Sequence, residues 1–524
     1  MPRIVGVAAR TCHGDLHATL AALDTAQGQP GPIDSEFVPT ILTIAREACG
    51  STHPDLLLLA TTKADLPRWC DSLLAEQPLL DGGPADLART LGSALGCPGL
   101  AIGAACASGP AAMAVAARWL AAGRARHVLV IGADRLAPFE AEGFAALGAI
   151  DPLACRPFDA ERVGLRLGEA VAAVLLGADD GVDDGHGLHL SGWGGSMDAN
   201  HLTGPTRDGS GLALACRRAL ERAGVDTPAL VIAHGTGTRY NDDSESLAYA
   251  AVCAQTPVTG FKGLIGHSLG ACGVLELALA TAIHRRHSAP GTVNLRQQGC
   301  AGAIRVLTPG QHALGPGAVL GANAGFGGLN GSTVISNRPA PKRARREARL
   351  SARVILDAQG WRRERDGEIQ LHAWDEAGVD GRLPRLAAKE IIGRIDASWG
   401  RMDLACRALV TMGHLLGPLP EHAGAVLATI AGCAATDREF ERQRRAGIID
   451  PQRFAYTLAT TPLGELSIRS RLRGPGLTVQ GADDAQARAV AADLIADGAD
   501  GALVAWIESD SLPHRAEAEL WLPA

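Results

Sequence analysis

The chain predicts an α/β fold of packed layers around a largely parallel sheet, and three observations support this. Short apolar runs alternate with Ala-rich segments of helical character from residue 1 to about 130. Glycine is abundant (64 residues) while aromatics make up 4%, which suits close helix–sheet packing better than recognition by stacking. The third is an internal repeat. Cys97-Pro98-Gly99-Leu100-Ala101-Ile102 is matched by Gly474-Pro475-Gly476-Leu477-Thr478-Val479. At 524 residues the chain exceeds one ordinary core, so two or three domains are expected.

The elements follow in order. Residues 4–8 and 56–60 read as buried strands, and residues 100–102 as a third. A turn of small residues, Ala104-Ala105-Cys106-Ala107-Ser108-Gly109, leads into an Ala-rich helix over 110–122. Strands follow at 127–132 and 171–176, then a helix near 211–223. The strand at 230–233 ends on His234-Gly235-Thr236-Gly237-Thr238. Phe261-Lys262-Gly263-Leu264-Ile265-Gly266-His267 precedes a helix from about 270 to 284. Strands at 318–322 and 332–336 flank a Gly-rich stretch, residues 323–331. The charged, Pro-bearing segment 339–349 reads as a linker, because charge runs are usually solvated. Beyond it, both copies of the repeat run on to an Ala-rich helix and then an apolar strand (127–132 or 502–506). Laid side by side, the second copy has Asp483 at the position of Cys106, and nothing after it corresponds to the His234, Lys262 or His267 segments.

Composition narrows the classes of function. A net charge of −7 without a large basic patch argues against nucleic acid. No apolar run approaches 18 residues, so no membrane span is expected. The 12 cysteines form no Cys-x-x-Cys pair, which argues against a zinc ribbon or a disulfide framework. The N-terminal apolar run is too short for a signal peptide, and a reducing cytoplasm fits a free thiol. No resident metal or cofactor is expected: there is no phosphate-binding loop, and the 325–331 glycines precede a strand instead of a helix.

Cys106 sits where a strand turns into a helix, and a helix N-terminus favours thiolate. A buried, inert cysteine in a small-residue contact is the alternative. His234 and His267 stand at strand or loop ends, where open α/β sheets form their sites. A thiolate can take an acyl group from a thioester, and two neutral imidazoles can donate through Nε2 to an oxyanion or enolate. Lys262 can fix the His267 loop and stabilise nearby charge. Backbone N–H groups at Cys106 and in the 325–328 turn can form a second oxyanion hole.

These motifs, in this order, resemble the signatures of β-ketoacyl-acyl-carrier-protein synthases. They are Ala105-Cys106-Ala107-Ser108-Gly109, His234-Gly235-Thr236-Gly237-Thr238, Lys262 to Gly273, and Gly325-Phe326-Gly327-Gly328. Arg156-Pro157-Phe158-Asp159 with Gly168-Glu169 resembles a fifth. The resemblance implies a duplicated thiolase-like layered fold (α-β-α-β-α), with halves at 1–180 and 181–338. It implies decarboxylative Claisen condensation with malonyl-acyl carrier protein, in fatty-acid-like or polyketide (aryl-polyene-type) synthesis. By that resemblance Cys106 accepts the acyl group and His234 and His267 stabilise enolate and oxyanion. Lys262 supports them with Glu276 as its partner. Phe326 gates, and Gly327, Thr236 and Thr238 belong to the supporting set. Phosphopantetheine arrives on the carrier protein, and a homodimer or a heterodimer with another synthase-like subunit is implied. Residues 350–524 resemble an additional half-thiolase domain without the thiol, like a chain-length factor. Two departures stand out: fewer residues precede Cys106 than is usual, and Leu329 replaces the usual Thr. A non-condensing docking or chain-length subunit, and acyl transfer without C–C bond formation, are the alternatives.

Overall fold

The computed structural model describes all residues except 1, 76–79, 179–186, 340, 342 and 394. The proposed 180/181 boundary therefore lies outside the described residues, as do two positions of the linker.

Three sheets repeat one topology of five strands. The first contains β1 (Pro2–Thr11), β2 (Leu56–Ala60), β3 (Gly99–Gly103), β4 (His127–Asp134) and β5 (Ala170–Ala178). The second contains β6 (His189–Met197), β7 (Leu230–Ile232), β8 (Pro257–Thr259), β9 (Val319–Gly325) and β10 (Leu329–Ser336). The third contains β11 (Ala348–Leu356), β12 (Gly424–Thr429), β13 (Gly476–Gln480), β14 (Ala502–Glu508) and β15 (Arg515–Pro523). Counted within each sheet, the strand order is 3-2-4-5-1, with the 3-2 and 2-4 pairs parallel and the 4-5 and 5-1 pairs antiparallel. The parallel strands are continuous apolar runs because both faces are covered; β2, Leu-Leu-Leu-Leu-Ala, is fully buried.

The helices Ser108–Ala121 and Cys272–Arg286 fill the space between the first two sheets. Their small residues make this possible. A Cβ on Gly109 would lie 2.7 Å from the Gly273 Cα, so the two helices touch backbone to backbone. That contact brings the turn before one helix beside the loop before the other. Phe37–Cys49 and Ser210–Ala223 pack on the outer faces, completing the layers. The structure differs from the sequence reading at β6, which was not assigned: its Gly-Trp-Gly-Gly core gives no alternating signal.

The third sheet joins the first through its edge. β13 pairs antiparallel with β3, Thr478 opposite Gly103 and Gln480 opposite Ala101. One apolar core accordingly runs through all three units, including Ile102, Val274, Val479 and Val490. The repeat extends to the turns. Asp483 caps the Asp484–Ala496 helix by accepting the Gln486 N–H at 2.7 Å, an ordinary helix start at the position of Cys106.

Candidate active site

Cys106 follows β3 on a tight turn in which Ala105 adopts φ +50°, a strained conformation for a residue with a Cβ. Ser108 holds the turn: its hydroxyl accepts the Ala104 N–H (2.9 Å) and donates to the Ala105 carbonyl (2.6 Å). The thiol is 8% exposed and faces a cavity of about 380 Å³. Gly325 approaches from β9; a Cβ there would sit 3.0 Å from the Cys106 nitrogen.

His234 and His267 converge on this thiol. Cys106 Sγ and one nitrogen from each ring lie within 4.8 Å of one another, and the rings meet edge-on with centroids 5.1 Å apart. The Leu269 N–H donates to His267 Nδ1 at 3.0 Å, which places the ring proton on Nε2. The Asn323 amide nitrogen faces His234 Nδ1 at 3.3 Å and Glu276 Oε2 at 2.7 Å, so it donates to both. That leaves the His234 proton on Nε2 as well. Burial, then the Lys262 charge and the neighbouring His267, holds His234 well below the usual imidazole range, so the ring is neutral.

Lys262 is buried and donates to the His234 carbonyl (2.6 Å) and to Glu276 Oε1 (2.8 Å). Burial lowers its affinity for a proton, but Cys272 and Glu276 outweigh that and keep it charged. Both of these hydrogen bonds position other groups. Thr236 and Thr238 bond to each other at 2.9 Å and line the outer cavity. Phe326 lines both that cavity and a smaller chamber, and both touch Cys106. Gly327 departs from expectation. Its N–H donates to the Leu202 carbonyl at 2.5 Å, so it is not free to serve an oxyanion.

Several polar residues behind the site escaped the sequence reading. Glu245 accepts the His234 N–H (2.5 Å) and the Gly235 N–H (2.8 Å), and Asp242 accepts the Thr236 N–H (3.1 Å). Asp134 ties the loop after β2 to the Gly270 N–H, and so to the His267 loop. Asn323 alone left a signal: it is a single amide ending an apolar strand. The fifth motif is structural. The Phe158 N–H donates to Asp242, and Glu169 accepts the Ile33 and Leu136 N–H groups.

The third unit closes the chamber. Phe454, Thr457 and Leu458 form part of its wall. Phe454 lies 5.3 Å from Phe144, which in turn lies 5.7 Å from Phe326. The Thr461–Ser470 helix backs the Phe326 turn, where a Cβ on Gly464 would come within 2.8 Å of Gly327 Cα. Leu329, in place of the usual Thr, packs in the apolar core shared with the third unit.

As donors, Cys106, His234 and His267 suit a thiophilic ion such as zinc as well as they suit acyl chemistry.

Comparison with known proteins agrees with this geometry. The family model for the "Beta-ketoacyl synthase, N-terminal domain" matches residues 75–180, and the one for the "Beta-ketoacyl synthase, C-terminal domain" matches residues 189–296. The chain is 31% identical over 300 residues to the tetracenomycin polyketide synthase ketoacyl synthase alpha subunit of Streptomyces glaucescens, covering 53% of this chain and 69% of the relative. It is 32% identical over 270 residues to the chloroplastic 3-oxoacyl-[acyl-carrier-protein] synthase II of Arabidopsis thaliana, covering 48% of this chain and 50% of the relative. Among solved structures, the PfaC keto synthase-chain length factor superposes with a TM-score of 0.77 at 15% identity, covering all of this chain and 78% of that one. A beta-ketoacyl synthase from Burkholderia phymatum gives 0.59 at 23% identity, over 64% of this chain and 99% of its own. These two structures speak for the fold.

Proposed function

Because this chain belongs to the β-ketoacyl synthase family, we propose that Cys106 carries the acyl group in a decarboxylative condensation with malonyl-acyl carrier protein. The relatives named above are condensing enzymes of polyketide and fatty-acid synthesis. The observation that carries the assignment is the convergence of Cys106 with two imidazoles whose Nδ1 atoms both accept hydrogen bonds.

Cys106 Sγ attacks the acyl thioester carbonyl, and the carrier's thiol leaves. A malonyl thioester then loses carbon dioxide, and its electron pair forms the enolate. The His234 and His267 Nε2–H groups stabilise the enolate oxygen. The enolate carbon attacks the Cys106 thioester, the C–C bond forms and the Cys106 thiolate departs. The phosphopantetheine arm belongs to the carrier-protein substrate, and it enters through the Thr236–Thr238 cavity. An acyl-carrier protein is bound by its ketosynthase in a solved polyketide complex of similar fold.

We assign residues 350–524 the place of an inert synthase-like subunit docked on its own chain. Support comes from the β3–β13 pairing and the shared chamber wall. A second chain, whether a copy or a sister subunit, would join through another face.

Intact-mass measurement tests the reading. Wild type incubated with an acyl thioester gains one acyl group, and Cys106→Ala, still folded, gains none. Carbon dioxide release from malonyl-carrier protein separates condensation from simple acyl transfer. A Cys106→Ala protein that still condenses would sink the assignment.

A further inference from the structure

We propose that the small chamber beside Cys106 selects acyl chains bearing a hydrogen-bonding oxygen, and that Glu140 and Thr62 make the selection. This rests on the reading of Cys106 as the acylated nucleophile.

The chamber measures about 30 Å³. Phe139, Phe144, Phe326, Phe454 and Leu458 give it apolar walls, and those alone would suit an alkyl chain. Four polar side chains interrupt them. Lys63 is paired with Asp437 and the Thr457 hydroxyl donates to the Phe454 carbonyl, which leaves Glu140 and Thr62. Glu140 is 4% exposed, and its Oε1 has no hydrogen-bond partner among the described residues. Thr62 Oγ1 is buried in the same condition. Buried polar atoms in folded proteins are nearly always paired, so two unpaired ones on residues that line one small chamber call for an explanation. The helix start accounts for only half of Glu140: its Oε2 accepts the Ala137 N–H at 3.1 Å.

The chemistry of the pair identifies its ligand. Burial, reinforced by Asp134, pushes the Glu140 carboxyl up to about 8, against the Ala137 hydrogen bond and the Lys63 charge. A protonated carboxyl both donates and accepts, as does the Thr62 hydroxyl. Such a pair fits a keto or hydroxyl oxygen. An alkyl chain filling the chamber would leave both groups unpaired, a loss of roughly 10- to 100-fold in rate. A β-keto product of an earlier condensation, unreduced or reduced only to the alcohol, carries an oxygen of this kind. The class of reaction supplying this substrate is therefore condensation without full removal of the β-oxygen.

The test compares loading of Cys106 from the pantetheine thioesters of butanoyl, 3-hydroxybutanoyl and 3-oxobutanoyl chains, followed by intact mass. In each case the new S–C bond forms as the pantetheine thiol leaves. Wild type is expected to load at least one oxygenated chain about tenfold or more faster than butanoyl. Glu140→Leu and Thr62→Val should each bring that ratio toward one, and Glu140→Gln should preserve it. A purely structural Glu140 would alter stability and leave the ratio alone. If Glu140→Leu does not fold, Thr62→Val decides. Equal loading of all three chains by wild type, or an unchanged ratio in the folded variants, overturns this proposal only. No loading of Cys106 from any thioester overturns the nucleophile reading with it.

Discussion

Replacing Asp437 by Asn should destabilise the protein by about 3–5 kcal/mol, the cost of leaving a buried partner charge uncompensated. Asp437 lies on the Ala434–Arg445 helix of the third unit. It accepts both Lys63 Nζ contacts, at 2.6 and 2.5 Å, and the Trp69 Nε1–H at 3.0 Å. The two charged side chains are 6% and 2% exposed. Burial lowers the Lys63 affinity for a proton; Asp437 and the Cys433 sulfur outweigh that and hold the ammonium. The Asn variant keeps an acceptor for Trp69 and loses the charge. Its deficit has a definite pH dependence. In wild type the raised Lys63 affinity adds stability below the unfolded lysine pKa of about 10.4. In the variant burial dominates, the affinity falls, and stability is lost as pH drops below that value. The gap between the two proteins therefore narrows as pH rises from 7 towards 10. Urea denaturation at both pH values measures it. A double variant, Lys63→Met with Asp437→Leu, should recover most of the loss, because apolar pairs replace buried ion pairs at little cost. An Asp437→Asn protein within about 1 kcal/mol of wild type at pH 7 would refute the reasoning that this buried pair stabilises the fold.

Two further outcomes follow from the same geometry. His234 is neutral in the folded protein and binds a proton when unfolded, below about 6.5, so acid favours unfolding. The stability difference between wild type and His234→Asn should shift against wild type by up to about 1.4 kcal/mol per pH unit below that point. Denaturation midpoints at pH 7.5, 6 and 5 check it; a constant difference would mean that the ring protonates in place. Zinc at micromolar concentration should block thioester loading of Cys106, since one sulfur and two ring nitrogens lie within 4.8 Å of one another. A chelator should restore loading, and loading indifferent to zinc would show that the three donors do not close on one ion.

The residues proposed to do the chemistry were readable because their local frames are written in sequence. Cys106 needs a strand, a turn of small residues and a helix, and those are contiguous. Gly109 and Gly273 announce a close helix contact, though only the structure shows that they meet each other. The support behind the histidines was not readable. Asn323, Glu245 and Asp134 come from separate elements, and each is an ordinary polar residue until the sheets bring it to a ring or a loop. Gly327 failed for the opposite reason: its motif was visible, but the partner of its N–H, Leu202, lies far away in sequence. The repeat at 474–479 showed that a third half-fold exists. It could not show where that half-fold sits, because an apolar edge strand carries no label for its partner.

The antiparallel joint explains why the third unit can lose a nucleophile and still serve the site. With Thr478 opposite Gly103, the end of β13 that leads to Asp483 points away from Cys106. The other end of β13 lies beside the Cys106 turn. The segment feeding that end runs from Phe454 through the Thr461–Ser470 helix, and it supplies the chamber wall and the backing of the Phe326 turn. Losing the sulfur at 483 therefore removes nothing the first site uses. A change at Phe454 or Gly464 would alter the volume and rigidity of the chamber beside Cys106.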